Sequence, residues 1–284
     1  MSRIAYVNGR YLRFENAKVH VEDRGYQFAD AVYEVCEVRA GRLVDERRHL
    51  DRLERSLNAL RIRPPMARAA LGVVLREVVA RNRIAHGNVY LQISRGVARR
   101  DLPFPKDVAP SVVVTARSLD RPRIEATATQ GITAVSVRDN RWGRVDIKTV
   151  GLLPNALARQ AALDKGARDA WFVDQAGFVT EAASANAWIV TADGKLVTRH
   201  ADHAILGGIT RAVVFEAVKE MNLHIEQRPF SLEEAYRARE AFVTSATQIV
   251  MPVVRLDDRP IGDGKPGPVA TALRREFHRF AEMA

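Results

Sequence analysis

A single cysteine, Cys36, stands among 284 residues, so no disulfide can form within the chain and nothing points to an oxidising compartment. No apolar run approaches the ~20 residues that a membrane-spanning helix needs. Met1-Ser2-Arg3 leads straight into alternating residues, with no apolar stretch behind it, so no signal peptide is expected and a cytoplasmic location is the default. Nucleotide-binding signatures are missing too: no Walker-type lysine and no G-x-G-x-x-G after a strand. There is no G-x-S-x-G elbow for a serine hydrolase. Lysine itself is scarce. Only seven of the 44 basic residues are Lys; the rest are arginines, which cannot lose a proton to become nucleophiles. A lysine within a strand-like stretch therefore stands out, and Lys148 is the clearest case.

What is present is ordinary for a globular protein: 47% hydrophobic and 27% charged residues. The length suits one large or two modest domains able to bury about three quarters of the unfolded surface. The net charge of +10 raises nucleic-acid binding as an alternative. Yet the basic residues are scattered, and their densest clusters (Arg47-Arg48, Arg99-Arg100, Arg274-Arg275) are short pairs without interleaved aromatics. An arginine-rich solvated surface is the plainer reading, with neither nucleic acid nor membrane as partner.

The pattern predicts strands at Ile4–Val7 and Tyr11–Phe14 around the turn dipeptide Asn8-Gly9, and a strand at Tyr33–Arg39 running into Ala40-Gly41. A helix is expected over His49–Leu60, with Leu50, Leu53, Leu57 and Leu60 on one stripe, and a second over about 67–81. Strands at Asn88–Ser94 and Ser111–Ala116 follow. Ser118-Leu119-Asp120-Arg121-Pro122-Arg123 is polar and broken by proline, which predicts a linker over 118–124 between domains at 1–117 and 125–284. The second half opens on a strand at Gly131–Val137, and short strands alternate with helices from Pro154, Thr210 and about Val269. No βαβ rhythm is evident, so two α+β domains are expected.

Four constellations carry chemistry. Gly207-Gly208-Ile209-Thr210 precedes a helix, where free N–H groups and the dipole favour an anion such as a phosphate monoester; alone, it reads equally well as a capped turn. Thr244-Ser245-Ala246-Thr247 ends a strand and could add hydroxyls and N–H groups, though an ordinary polar turn has the same composition. If Val145–Thr149 is extended, Asp146 and Lys148 share a face, and desolvation or a neighbouring Arg141 or Arg144 would lower the lysine's pKa as a nucleophilic amine requires. Glu181, before the small-residue run Ala182–Asn186, could pair with a protonated ring nitrogen or simply lie on the surface. His200 and His203 have metal-pair spacing but too few companions for a metal site.

Taken in order, several segments resemble the class IV, or fold-type IV, pyridoxal-phosphate aminotransferases, and especially the D-amino acid transaminases among them. They are Glu22–Glu34, His49-Leu50-Asp51-Arg52-Leu53, Asp146-Ile147-Lys148-Thr149, Thr180-Glu181, Gly208-Ile209-Thr210 and Thr244-Ser245. The resemblance implies a two-domain α+β architecture with the cofactor, pyridoxal 5′-phosphate, in the interdomain cleft and the C-terminal domain as its main seat. Lys148 would hold the cofactor as a Schiff base and shuttle the proton, and Glu181 would keep the pyridine nitrogen protonated. Arg52, Ile209, Thr210, Ser245 and Ala246 would meet the phosphate, and Tyr33 and Arg100 the substrate. Amino acids of the D-alanine and D-glutamate type and 2-oxo acids would be the substrates of a two-half-reaction cycle, carried out by a homodimer. Leu102 stands where those transaminases place a histidine of the carboxylate trap. A branched-chain L-amino acid transaminase and an aminodeoxychorismate lyase are the alternatives on the same fold.

Overall fold

The computed structural model describes residues 3–284. The chain divides into two compact units. One comprises the chain up to Asp120 with Ile147–Gly151 and Glu282–Ala284; the other comprises Arg121–Asp146 and Leu152–Ala281.

The first unit is built on six antiparallel strands: β1 (Ile4–Val7), β2 (Arg10–Arg13), β3 (Ala31–Arg39), β4 (Arg42–Leu43), β5 (His86–Ser94) and β6 (Ser111–Ser118), in the order β2-β1-β6-β5-β3-β4. Asn8 (φ 44°) and Gly9 (φ 92°) make the tight turn between β1 and β2, both in the left-handed region that such a hairpin demands. The short helix α1 (Arg24–Phe28) is capped by Asp23, whose side chain accepts from the Gly25 N–H. Helix α2 (Glu46–Ala59) buries Leu50, Leu53 and Leu57 against β3, beside Val32, Cys36 and Val38, and α3 (Arg68–Arg81) buries Leu71, Leu75 and Val78 in the same core over β1, β5 and β6.

One edge of β3 decides where Lys148 sits. Its inner edge pairs with β5 from Ala31↔Ser94 to Arg39↔His86. On the outer edge β4 reaches only Val38 and Arg39. The start of that edge is filled by Lys148–Val150: Tyr33 N–H donates to the Lys148 carbonyl (3.0 Å), Val150 N–H donates to the Ala31 carbonyl (3.2 Å), and Thr149 bridges Val32. Backbone groups left open at a sheet edge are thus satisfied by a segment more than 100 residues away in sequence.

In the second unit come α4 (Arg121–Gln130), β7 (Ile132–Arg138), α5 (Leu153–Asp164), β8 (Asp169–Val173), β9 (Val179–Ala182), β10 (Asn186–Val190) and β11 (Leu196–Thr198). They are followed by α6 (Ile209–Glu220), β12 (Ile225–Gln227), α7 (Leu232–Tyr236), β13 (Glu240–Ser245), β14 (Ile249–Leu256), β15 (Arg259–Pro260) and α8 (Pro268–Phe280). The strands run in the order β12-β11-β10-β13-β14-β7-β8-β9, with β15 beside β14. The sheet is buried on both faces. Ile189 and Val243 enter one core with Trp171 and Phe230, whereas Trp188 and Phe242 enter another with Val213 and Val214 of α6 and Leu273 and Phe277 of α8. Strands covered on both sides carry apolar residues without alternation, as in Asn186–Val190, all five of them buried.

Both units are α+β, as the pattern predicts, and the first gives way to the second after Asp120, within the segment expected to link them. Residues 118–124 hold the end of β6, two connecting residues and the start of α4. Pro122 is the second residue of that helix, where its missing N–H costs no hydrogen bond. The stretch around Lys148 is not a strand: 143–146 form a turn, closed by Arg144, which donates to Asp146 through Nε (2.9 Å) and Nη2 (3.0 Å). Ile147–Gly151 then groups with the first unit rather than with the residues around it in sequence. Finally, β7-α5-β8 and β11-α6-β12 are both parallel βαβ crossovers, a rhythm that the sequence hides, in the first case behind the irregular Lys148 segment.

Candidate active site

The side chains singled out by the sequence form one group in each unit. In the first, Lys148 is anchored through its backbone, because its carbonyl accepts from Tyr33 and its N–H donates to the Ser56 hydroxyl of α2 at 3.4 Å. Its Nζ lies 4.1 Å from the centroid of the Tyr33 ring, a cation–π distance. Tyr33 in turn packs on Tyr90, ring centroids 5.6 Å apart. The Tyr90 hydroxyl is pushed up to about 12 by burial, with Tyr33 adding to the effect.

Ser56 belongs to a second buried stripe on α2. Leu50, Leu53 and Leu57 form the apolar stripe, and His49, Arg52 and Ser56 form a polar one beside it that is equally buried. Arg52 donates to Glu34 of β3 twice, Nε to Oε1 and Nη2 to Oε2, each at 2.7 Å. His49 Nδ1 lies 2.7 Å from the same Oε2. Burial alone would raise the Glu34 carboxyl; the Arg52 charge and the hydrogen bonds from Arg52 and His49 outweigh it and hold the group well below the usual carboxylate range. Because the folded value is depressed, this stabilisation is complete above the unfolded carboxylate's pKa and is lost as pH falls toward the lower folded value. Glu34→Gln is therefore expected to cost about 3 kcal/mol at pH 7, as breaking a buried pair does. The deficit should shrink below about pH 4.5, where the unfolded carboxylate binds its proton. Urea unfolding at pH 7 and pH 3 checks both statements.

Arg100 stands outside this set of contacts. It is exposed, and its guanidinium lies 4.7 Å from the Phe28 ring centroid. Its loop is clamped by the buried Arg24, whose Nη1 donates to the Asp101 carbonyl at 2.6 Å. Leu102, in the place of the histidine, is 78% exposed.

In the second unit Glu181 is buried at the centre of a network. Arg141 Nη1 donates to its Oε1. Asn186 Nδ2 (3.2 Å) and the Leu206 N–H (3.1 Å) donate to its Oε2. Arg141 is also held by Asp139, through Nε at 2.9 Å and Nη2 at 2.7 Å. Burial works against the Arg141 charge, but Asp139 and Glu181 overcome it and raise the guanidinium further above its ordinary value. Arg141 and Arg144 are thus both paired with carboxylates, rather than left unpaired to repel a lysine. The sequence offers Arg141 only as a neighbour for Lys148 and does not single out Asn186; the register of β7, β8 and β9 brings Arg141 to Glu181.

Asn186 also ties Glu181 to the start of α6. Gly208 is the N-cap residue of α6 and provides no side-chain cap for the first turn. A Cβ on Gly208 would lie 2.1 Å from Asn186 Oδ1, so only glycine lets the chain pass. Thr210 is buried in that first turn. Asn186 pairs with Thr244 in the sheet, which sets the turn at 246–248 beside it. The Ser245 hydroxyl accepts from the Gln248 N–H at 3.4 Å. Thr244 does not offer its hydroxyl to a ligand as the sequence suggests: its Oγ1 accepts from Trp188 Nε1 at 3.0 Å inside the core. His200 and His203 have different partners, Asp202 (3.2 Å) and Asp146 (3.1 Å). Among the described residues no group of three or more metal-ligating side chains is gathered.

Taken unit by unit, the first offers an amine over an aromatic ring, the kind of group that condenses with an aldehyde, and the second offers a buried carboxylate that suits a ring N–H and an uncapped helix start, reached through a glycine, that suits a phosphate. Comparison with known proteins agrees. The family described as amino-transferase class IV matches residues 31–256. The chain belongs to that family. Class IV aminotransferases work with pyridoxal 5′-phosphate. This aminotransferase is 37% identical over 272 residues to the D-alanine aminotransferase of Listeria monocytogenes serotype 1/2a (strain 10403S), covering 95% of this chain and 93% of the relative. It is 36% identical to the D-alanine aminotransferase of Staphylococcus haemolyticus, covering 98% and 97%. Among solved structures, the T.th. branched-chain amino acid aminotransferase with pyridoxamine 5′-phosphate superposes with a TM-score of 0.90 at 25% identity, covering 98% of this aminotransferase and 94% of that chain. The Escherichia coli branched-chain amino acid aminotransferase gives 0.88 at 24% identity with the same coverage, a likeness of fold.

Proposed function

We propose that this aminotransferase moves the amino group between D-amino acids of the D-alanine and D-glutamate type and 2-oxo acids, in two half-reactions, with Lys148 holding pyridoxal 5′-phosphate covalently through its amine. The observation that carries the residue assignment is the Lys148 amine, fixed by its backbone to β3 and seated over the Tyr33 ring. Support for the D-amino acid substrate comes from relatives at 36–37% identity that bear the name D-alanine aminotransferase.

When bound, the cofactor supplies an aldehyde for the amine and a ring that accepts the electrons left behind when a proton leaves the substrate Cα. Lys148 Nζ takes that proton and redelivers it. Glu181, kept in place by Arg141, Asn186 and Leu206, stabilises a proton on the ring nitrogen. Arg52, the N–H groups of Ile209, Thr210 and Ala246, and the Ser245 hydroxyl hold the phosphate. Tyr33 and Arg100 face the substrate, Arg100 binding its carboxylate as a guanidinium fork.

One observation favours a second reading. Leu102 removes a donor from the carboxylate trap, and branched-chain L-amino acid aminotransferases share the fold. Visible absorption of the purified protein separates the two. Bleaching by D-alanine and not by L-leucine supports the proposal, the reverse supports the L-amino acid reading, and a colourless preparation unresponsive to both contradicts both.

The proposal includes a homodimer. Leu153 and Leu157, one turn apart on α5, are 71% and 58% exposed, an apolar surface that a second copy would cover. Replacing both by Glu is expected to shift sedimentation from dimer to monomer. An unchanged dimer would place the interface elsewhere.

A further inference from the structure

We infer that Glu34 and His49 are positioning residues for the cofactor's phosphate, acting through Arg52. The inference rests on the reading that Arg52 meets that phosphate. Glu34 sits on β3 between Val32 and Cys36, at a core-facing position where the pattern calls for an apolar residue, and is 2% exposed. A carboxylate there is costly unless fully paired. It is: Oε1 accepts from Arg52 Nε, and Oε2 accepts from Arg52 Nη2 and lies 2.7 Å from His49 Nδ1.

The geometry does more than neutralise charge. Two parallel hydrogen bonds fix the plane of the guanidinium and turn its Nη1 edge away from the carboxylate. His49, three residues before Arg52 on the same helix, fixes the carboxylate in turn. An ionised carboxylate only accepts hydrogen bonds, so His49 Nδ1 carries the hydrogen. An acid beside a phosphate-binding arginine lowers the net attraction for an anion. What it provides instead is a guanidinium already oriented, so no side-chain freedom is lost when phosphate arrives.

The full chain freed of cofactor is titrated with pyridoxal 5′-phosphate and with pyridoxal, which lacks the phosphate. Glu34→Gln is expected to weaken binding of pyridoxal 5′-phosphate by about 10–100-fold, as loss of the partner of a ligating group does, and to leave pyridoxal binding unchanged. His49→Asn should show a smaller loss of the same kind, and Glu34→Asp a partial recovery. If Glu34→Gln does not fold, His49→Asn and Glu34→Asp carry the comparison. Equal losses for both ligands, or no loss for either, overturn the inference. Arg52→Gln separates the two levels. If it leaves the ratio of the two affinities intact, the assignment of Arg52 itself falls. If it collapses the ratio while Glu34→Gln and His49→Asn do not, only the positioning role falls.

Discussion

Lys148→Ala is expected to lower the turnover of D-alanine with a 2-oxo acid by about 10⁴-fold, the upper end of what a positioned proton carrier contributes. The fold should hardly notice. The bonds that anchor residue 148 to β3 and to Ser56 are made by its backbone, which alanine keeps. Its side chain is partly exposed and has the Tyr33 ring as its aromatic neighbour, so the stability change should stay within about 0.5 kcal/mol. Activity and urea midpoint measured together therefore separate chemistry from folding. Lys148→Arg should be as inactive as Lys148→Ala, because a guanidinium keeps its proton at any working pH. A loss of less than tenfold in either variant would mean that another group does the work.

Glu181→Gln is expected to lower kcat by about 10²–10³-fold, the range seen when one electrostatic contact to a developing charge is removed. Glutamine keeps the shape and an acceptor oxygen, so Asn186 and Leu206 retain a partner. What disappears is the negative charge proposed to stabilise a proton on a ring nitrogen. Arg141 remains paired with Asp139. The fall should therefore appear in kcat, with cofactor affinity little altered. Weakened cofactor binding at unchanged kcat would reduce Glu181 to an anchoring contact.

Much of this organisation is legible in the sequence because it is local. The Asn8-Gly9 turn, the leucine stripe of α2 and the apolar strands of the second unit each follow from spacing within a dozen residues. The glycines before α6 likewise mark the start of that helix, with Gly208 at its N-cap. What stays hidden depends on register between distant segments. Nothing near Lys148 shows that it completes the edge of β3. Arg141 meets Glu181 only because β8 lies between β7 and β9. Two signals are nonetheless present. Glu34 interrupts the apolar alternation Val32, Cys36, Val38, and His49, Arg52 and Ser56 recur at helical spacing beside the leucines; a polar set in such positions marks a buried network. Strand β14 is not legible, because Pro252 argues against a central strand. Its pairing with β7 begins only at Val253, so the missing N–H breaks no ladder bond on that side.

The most direct test fixes the cofactor to the protein. Borohydride added to the enzyme loaded with pyridoxal 5′-phosphate, followed by proteolysis and mass mapping, should place the pyridoxyl group on the peptide that contains Lys148. A label on any of the other six lysines, or none at all, would contradict the account.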